Sequence, residues 1–202
     1  MKILTMPQRS PEWHAARVGS IGGTGFGQVI SGKKNRLIYN LINERLNGYA
    51  TQDDYVSEDM QFGIDNEPIA RQLYSEKTGI EFMEVGLIKS DYSDIHHASP
   101  DGISPDNSIV LEIKATDDGA IQLQRFFEGV ETSHMPQIIN YFAVSDEVKE
   151  VHFVSYCPYR EERPIVAYIF KSEYYADKIS DARIKIKQIE AEIEKKIQEF
   201  TF

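Results

Sequence analysis

Pro100-Asp101-Gly102, with ten residues between Asp101 and a following Glu112-Ile113-Lys114, constrains this chain more than any other stretch. Read as a strand, Ile109–Ala115 alternates its side chains at period two. Positions 110, 112 and 114 then share one face, while Leu111, Ile113 and Ala115 turn towards a core. Gly102, Pro105, Asp106 and Asn107 supply the turn chemistry of a hairpin that returns Asp101 to the side of Glu112. Two carboxylates meeting at a strand pair make a hard oxygen site suited to Mg²⁺ or Mn²⁺, and the adjacent Lys114 orients a water as the ammonium or deprotonates it as the free amine. That is equipment for hydrolysing a phosphodiester. An isolated Glu-x-Lys on a strand is ordinarily a solvated face with a weak ion pair. Its joint occurrence with Pro-Asp-Gly at hairpin spacing is what carries the chemistry.

A chain of 202 residues fills one core, so a single domain over 1–202 is the expectation. Its lone cysteine, Cys157, excludes a disulfide framework and a cysteine-rich zinc module, and points to a reducing cytoplasm. Cys157 itself reads as a small buried residue on a strand over 151–157. No run is long and apolar enough for a membrane span, and the N-terminus carries no apolar signal region. The net charge of −10 sits awkwardly with a polyanionic substrate. Net charge governs solubility and long-range steering rather than the potential inside one groove. A DNA substrate therefore requires Lys and Arg gathered on one surface, with metal ions offsetting the acidic site.

Ser10-Pro11-Glu12 reads as a helix start, with Ser10 as N-cap and Pro11 at the first helical position. Trp13 and Arg17 fall on one face of that helix, which ends near Gly19. The glycine-rich 21–27 fits neither a Walker loop nor a dinucleotide fingerprint. Its Thr24 is placed to cap the next helix, and an amide-rich turn beside Arg17 is a natural anion site. Lys33 and Lys34 belong to an exposed loop before a helix over 35–46, and 47–56 reads as a long loop. A helix over 59–78, ended by Gly79, is expected to bury Ile69 and Leu73, with Pro68 breaking the backbone and turning Glu67 towards a site. Strands follow at 84–89, 95–99, 109–115, 151–157 and 165–170, with helices at 119–127 and 136–144. The second of these helices carries Gln137, Asn140 and Tyr141 as a polar stripe, suited to internal satisfaction or to a sugar-phosphate backbone. His96 and His97 point to opposite faces of their strand, so at least one is structural. A long charged helix over 172–202 presents Ile179, Ile186, Ile189, Ile193 and Ile197 as an apolar stripe.

Three pieces in this order carry a resemblance: 9–17 with the glycine turn after it, the Glu67 helix, and the Ser99-Pro100-Asp101-Gly102 to Lys114 hairpin. Over most of its length the chain resembles the phage lambda exonuclease family of viral recombination nucleases. The resemblance implies an α/β fold with a restriction-endonuclease-like PD-(D/E)xK core, a mixed central sheet flanked by helices, and here a long C-terminal helix. It implies a processive Mg²⁺- or Mn²⁺-dependent deoxyribonuclease that digests the 5′-ended strand of linear duplex DNA and leaves a 3′ tail for a phage single-strand annealing protein. Asp101, Glu112 and the main-chain carbonyl of Ile113 are similar to metal ligands of that family, Glu67 to a ligand of a second ion, and Lys114 to the group that positions the attacking water. Arg17, Thr24, Ser99 and Gln137 resemble a 5′-phosphate pocket, Lys34 a minor-groove residue and Met60 an apolar wedge between terminal base pairs. A homotrimeric ring around the DNA is also implied, in the cytoplasm of a bacterial host.

Two other readings share these residues. One is a structure-specific or CRISPR-adaptation-type nuclease of the same fold, though the latter usually carries a four-cysteine iron-sulfur site that one cysteine cannot build. The other is a non-catalytic DNA-end-binding module whose carboxylates hold a structural cation.

Overall fold

The computed structural model describes residues 1–50 and 56–201; residues 51–55, half of the loop expected over 47–56, and Phe202 lie outside the described residues. In chain order the elements are β1 (Lys2–Leu4), α1 (Pro11–Arg17), α2 (Gly23–Ile30), α3 (Asn35–Asn47), α4 (Glu58–Thr78), β2 (Leu87–Lys89), β3 (His97–Ala98), β4 (Gly102–Ile103), β5 (Ile109–Ala115), α5 (Gly119–Glu128), α6 (Met135–Val144), β6 (Glu150–Tyr156), β7 (Ile165–Lys171) and α7 (Ala176–Thr201). The four-stranded sheet, in the order β4-β5-β6-β7, is mixed: β5 and β6 run parallel and the other pairs antiparallel. A smaller antiparallel sheet joins β1, β2 and β3.

The parallel pair needs a crossover, which α5 and α6 provide, and β5 is covered by α6 on one face and by α4 on the other. Val110 faces a core built with α2, α3, α6 and α7, whereas Leu111 and Ile113 face a second core with Ala70 and Tyr74 of α4 and with Phe82. The expected alternation along β5 is therefore present, but neither face is solvent. On α7 the isoleucine stripe is realised: Ile179, Ile186, Ile189 and Ile193 are buried and Ile197 packs beside them.

Helix α4 departs from the expectation in two ways. It runs unbroken through Pro68, and Ile69 and Leu73 are exposed at 48% and 36% while Ala70 and Tyr74 are buried. One residue turns a helix by about 100°. The small Ala70 side chain lets α4 lie closely on β5, and the bulkier Ile69 and Leu73 fall on the outer side. Ser57 Oγ starts this helix by accepting from the Met60 N–H at 3.2 Å.

Candidate active site

The hairpin forms as its spacing requires. Gly102 pairs with Leu111 and Ile103 with Val110, and the Asp101 N–H donates to the Leu111 carbonyl at 3.0 Å. Ser104 and Asp106 close the turn, with the Ile109 N–H donating to Ser104 Oγ at 2.9 Å. At the other end of the hairpin, Asp101 Oδ2 accepts from the Ile113 N–H at 2.6 Å, which sets its carboxylate against the strand carrying Glu112 and Lys114. Arg71 of α4 donates to the Asp101 carbonyl and pairs with Glu84 at 2.8 Å. Gln8 donates to the Pro100 carbonyl at 2.8 Å and to Val85 at 3.0 Å. The loop before Asp101 is thus tied at two points.

Glu112 is only 1% exposed. Its Oε2 accepts from the Tyr141 hydroxyl and from Gln137 Nε2 at 2.8 Å, while Oε1 pairs with the Lys114 ammonium without a directed hydrogen bond. Three carboxylates lie near one another. Burial, then Glu112 and then Glu67, hold the Asp101 carboxyl well above its ordinary range, against the pull of Lys114 and of the Ile113 amide. Burial also raises Glu67, opposed by Arg9. Burial alone would lower the Lys114 ammonium, but Glu112, Asp101 and Glu67 together raise it, so the lysine is a retained cation. Lys114 thus pairs with Glu112, and Asp101, held on the Ile113 amide between them, and Glu67 of α4 lie within electrostatic reach.

Glu67 is nonetheless engaged elsewhere: both its oxygens accept from Arg9 Nη2, at 3.2 and 3.3 Å. Among the described residues, no three His, Cys, Asp or Glu side chains stand close enough to hold a metal ion in this arrangement. The basic side chains Lys114 and Arg9 take up the oxygens instead. A cleft of about 740 Å³ opens over this region, lined by Arg9, Trp13, Met60, Glu67, Ile113 and Lys114 among others. It lies at the carboxyl end of β5, the place where open α/β sheets take their ligands. Met60 is on its wall and 54% exposed.

The second group of expected residues is only partly gathered. Arg17 and Thr24 line a separate cleft of about 190 Å³ with Ser20, Gly22, Gln28 and His97. Thr24 does not cap α2; Gly22 is the N-cap, and Thr24 sits in the first turn with its side chain exposed. Ser10 does cap α1, accepting from the Trp13 N–H at 3.2 Å, and Arg17 stacks 3.7 Å over the Trp13 ring. Gln137 is turned to Glu112 rather than to this cleft, although a Cβ on Gly23 would lie 4.0 Å from its Cγ. Ser99 accepts from Tyr141 through its carbonyl at 3.3 Å, while its buried Oγ has no hydrogen-bond partner among the described residues. Lys34 holds the N-cap position of α3 and lines neither cleft.

Four residues that matter here carried only indirect signals in the sequence. Tyr141 was visible as part of a polar stripe, but not as the partner of Glu112. Arg9 opens the Arg-Ser-Pro-Glu segment and has a left-handed backbone, φ 65°. His97 and His96 are both buried, bonded to Ser20 and Asn140 respectively.

The fold is also that of known nucleases. It is similar to the alkaline exonuclease LHK-Exo from Laribacter hongkongensis, 24% identical over 95% of this chain and 96% of that one, with a TM-score of 0.80. The complex of LHK-Exo with dAMP gives a TM-score of 0.78 over 95% and 98%, again at 24% identity. A phage-related exonuclease from Haemophilus somnus 129PT is 15% identical over 80% and 82%, with a TM-score of 0.55. No curated protein matches the chain. The model of the YqaJ-like viral recombinase domain matches residues 12–148, more than half of the chain and the part that holds the hairpin, the Glu67 helix and Arg17. The chain belongs to the YqaJ-like viral recombinase family, whose members are lambda-exonuclease-like.

Proposed function

We propose that this protein is a divalent-metal-dependent exonuclease that digests the 5′-ended strand of linear duplex DNA, in the cytoplasm of a bacterial host, and leaves 3′ tails for recombination by strand annealing. The observation that carries the reading is the hairpin contact that lays the Asp101 carboxylate on the Ile113 amide beside Glu112 and Lys114. Family membership and the likeness to LHK-Exo support the same activity.

The donor set suits a hard cation. Asp101, Glu112 and the Ile113 carbonyl are all oxygen donors, Glu112 Oε1 is buried without a directed hydrogen bond, and burial together with the neighbouring carboxylates raises Asp101. These residues would hold one Mg²⁺ or Mn²⁺, and Glu67, once Arg9 is released, a second. Bound there, such ions supply Lewis-acid activation of water and stabilisation of the leaving oxygen. The chain's own groups do the rest. Tyr141 and Gln137 fix the Glu112 carboxylate, and the ammonium of Lys114 orients the attacking water and meets negative charge as it develops on the phosphate. Arg17 and Thr24 anchor the terminal 5′-phosphate and so set the cleavage step. Lys34 contacts the duplex and Met60 separates the terminal pair.

A trimer encircling DNA and an annealing partner complete the reading by family resemblance. The decisive experiment is digestion of linear duplex with 5′-phosphate or 5′-hydroxyl ends, with and without Mg²⁺, beside covalently closed circles. Mononucleotide release from phosphorylated ends only with the metal present is expected. Nicking of the circles, or no hydrolysis of either linear substrate, overturns the proposal.

A further inference from the structure

We propose that His97, held by Ser20, is a positioning residue that orients the Arg17 guanidinium towards the terminal phosphate and thereby sets the preference for phosphorylated ends. The proposal rests on the reading of Arg17 as the phosphate anchor. Arg17 Nε donates to His97 Nε2 at 3.2 Å, and its guanidinium lies on the Trp13 ring. With Nε2 accepting, the imidazole proton sits on Nδ1 and donates to Ser20 Oγ at 2.5 Å. One edge of the guanidinium and one face are therefore committed within the protein, and among the described residues the two terminal nitrogens have no hydrogen-bond partner and remain for a ligand. Arg17, Ser20, Gly22 and His97 all line the same cleft as Thr24.

The imidazole must be neutral to accept from an arginine, and its surroundings keep it so: burial, then Arg17, Lys89 and His96, hold His97 well below its ordinary value. Gly22 completes the fit. A Cβ there would come within 2.6 Å of His97 Nε2, so any side chain at 22 pushes the ring off Arg17. An arginine otherwise samples many rotamers, and a monoester end is distinguished from a hydroxyl only if the fork stays aimed at it.

The test measures the ratio of initial rates on 5′-phosphate and 5′-hydroxyl linear duplex, with separate kcat and KM, for Arg17→Ala, His97→Leu, His97→Gln, Ser20→Ala and Gly22→Ala. His97→Leu is expected to lower the ratio at least tenfold, through KM for phosphorylated ends rather than through kcat. His97→Gln keeps an acceptor and a donor and is expected to restore most of the ratio. Ser20→Ala and Gly22→Ala should each lower it severalfold. If Arg17→Ala leaves the ratio unchanged, the phosphate-anchor reading fails. If Arg17→Ala abolishes it while His97→Leu leaves it intact, the positioning role fails alone. A His97→Gln variant no better than His97→Leu also overturns it, since packing would then suffice. Should His97→Leu not fold, an unchanged ratio in both Ser20→Ala and Gly22→Ala overturns it.

Discussion

Lys114 and Tyr141 both act on Glu112, but from opposite sides of the chemistry. Lys114 faces the cleft and remains charged, held up by three carboxylates. Lys114→Ala is therefore expected to lower kcat by about 10²–10³, the scale of losing one preorganised charge partner of the transition state. DNA binding, measured by fluorescence anisotropy without metal, should stay near the parental value. A variant digesting linear duplex at the parental rate removes Lys114 from the reaction. Tyr141 instead lies behind Glu112, nearly fully buried, with its hydroxyl on Oε2 and on the Ser99 carbonyl. Tyr141→Phe removes a donor from a buried carboxylate, which costs about 1–3 kcal/mol of stability by desolvation. Activity is expected to fall about tenfold, the rate equivalent of roughly 1.4 kcal/mol of lost Glu112 positioning. Parental kinetics together with a parental melting temperature would show that Gln137 alone suffices to hold Glu112.

Strand β4 is two residues long, yet it decides where Asp101 sits. A Cβ on Gly102 would lie 3.2 Å from Phe82 Cβ, 3.3 Å from Arg71 Cδ and 3.4 Å from Leu111 Cβ. Gly→Ala relieves unfolded-chain entropy by about 0.4–1 kcal/mol, but overpacking here costs about 1–3 kcal/mol, so the crowding wins. Arg71 has little freedom to yield, being bonded to both the Asp101 carbonyl and Glu84. Gly102→Ala should lower the urea midpoint without changing the slope of unfolding and should reduce activity with it. A stabilised, fully active variant would mean that α4 moves freely over the hairpin. The hairpin was legible in the sequence because turn residues and strand alternation are local signals; β5 is found at Ile109–Ala115, as expected. Helix α4 was legible in extent but not in facing. The choice between Ile69–Leu73 and Ala70–Tyr74 depends on how closely β5 approaches, and hydrophobicity alone favours the wrong pair. Three-residue β1 carries no periodicity to read, and the Tyr141–Glu112 contact spans 29 positions that only the β5–β6 crossover brings together.

At the scale of the whole molecule, His96 ties three elements into one acid-sensitive joint. Its Nε2 meets Asn140 Oδ1 of α6 at 2.6 Å, its ring stacks on Phe26 of α2 at 5.7 Å, and its carbonyl receives the Ser90 N–H at 3.0 Å beside the small sheet. Burial lowers its pKa to about 4, only partly opposed by the Asn140 hydrogen bond. The unfolded chain titrates this imidazole near 6.5. The folded value is depressed, so between the two values the unfolded state binds more protons. The stabilisation is complete above about pH 6.5 and is lost as the pH falls towards 4. At pH 4.5 the single group accounts for about 2–3 kcal/mol, taking 1.36 kcal/mol per unit. Carboxylates held low by their partners, such as Asp146, Glu150 and Glu190, lose stability in the same direction as they protonate, so the wild-type curve alone cannot isolate the histidine. The measurement is therefore a difference: urea unfolding of the parent and of His96→Gln from pH 7.5 to 4.5. Gln keeps a donor for Asn140 but has no proton to take up, so His96→Gln is expected to be less stable at neutral pH and to close that gap, or reverse it, by pH 4.5. Parallel curves across the whole range would mean that His96 is solvated or already protonated in the folded protein, and that the joint between α2, α6 and the small sheet does not depend on a neutral imidazole.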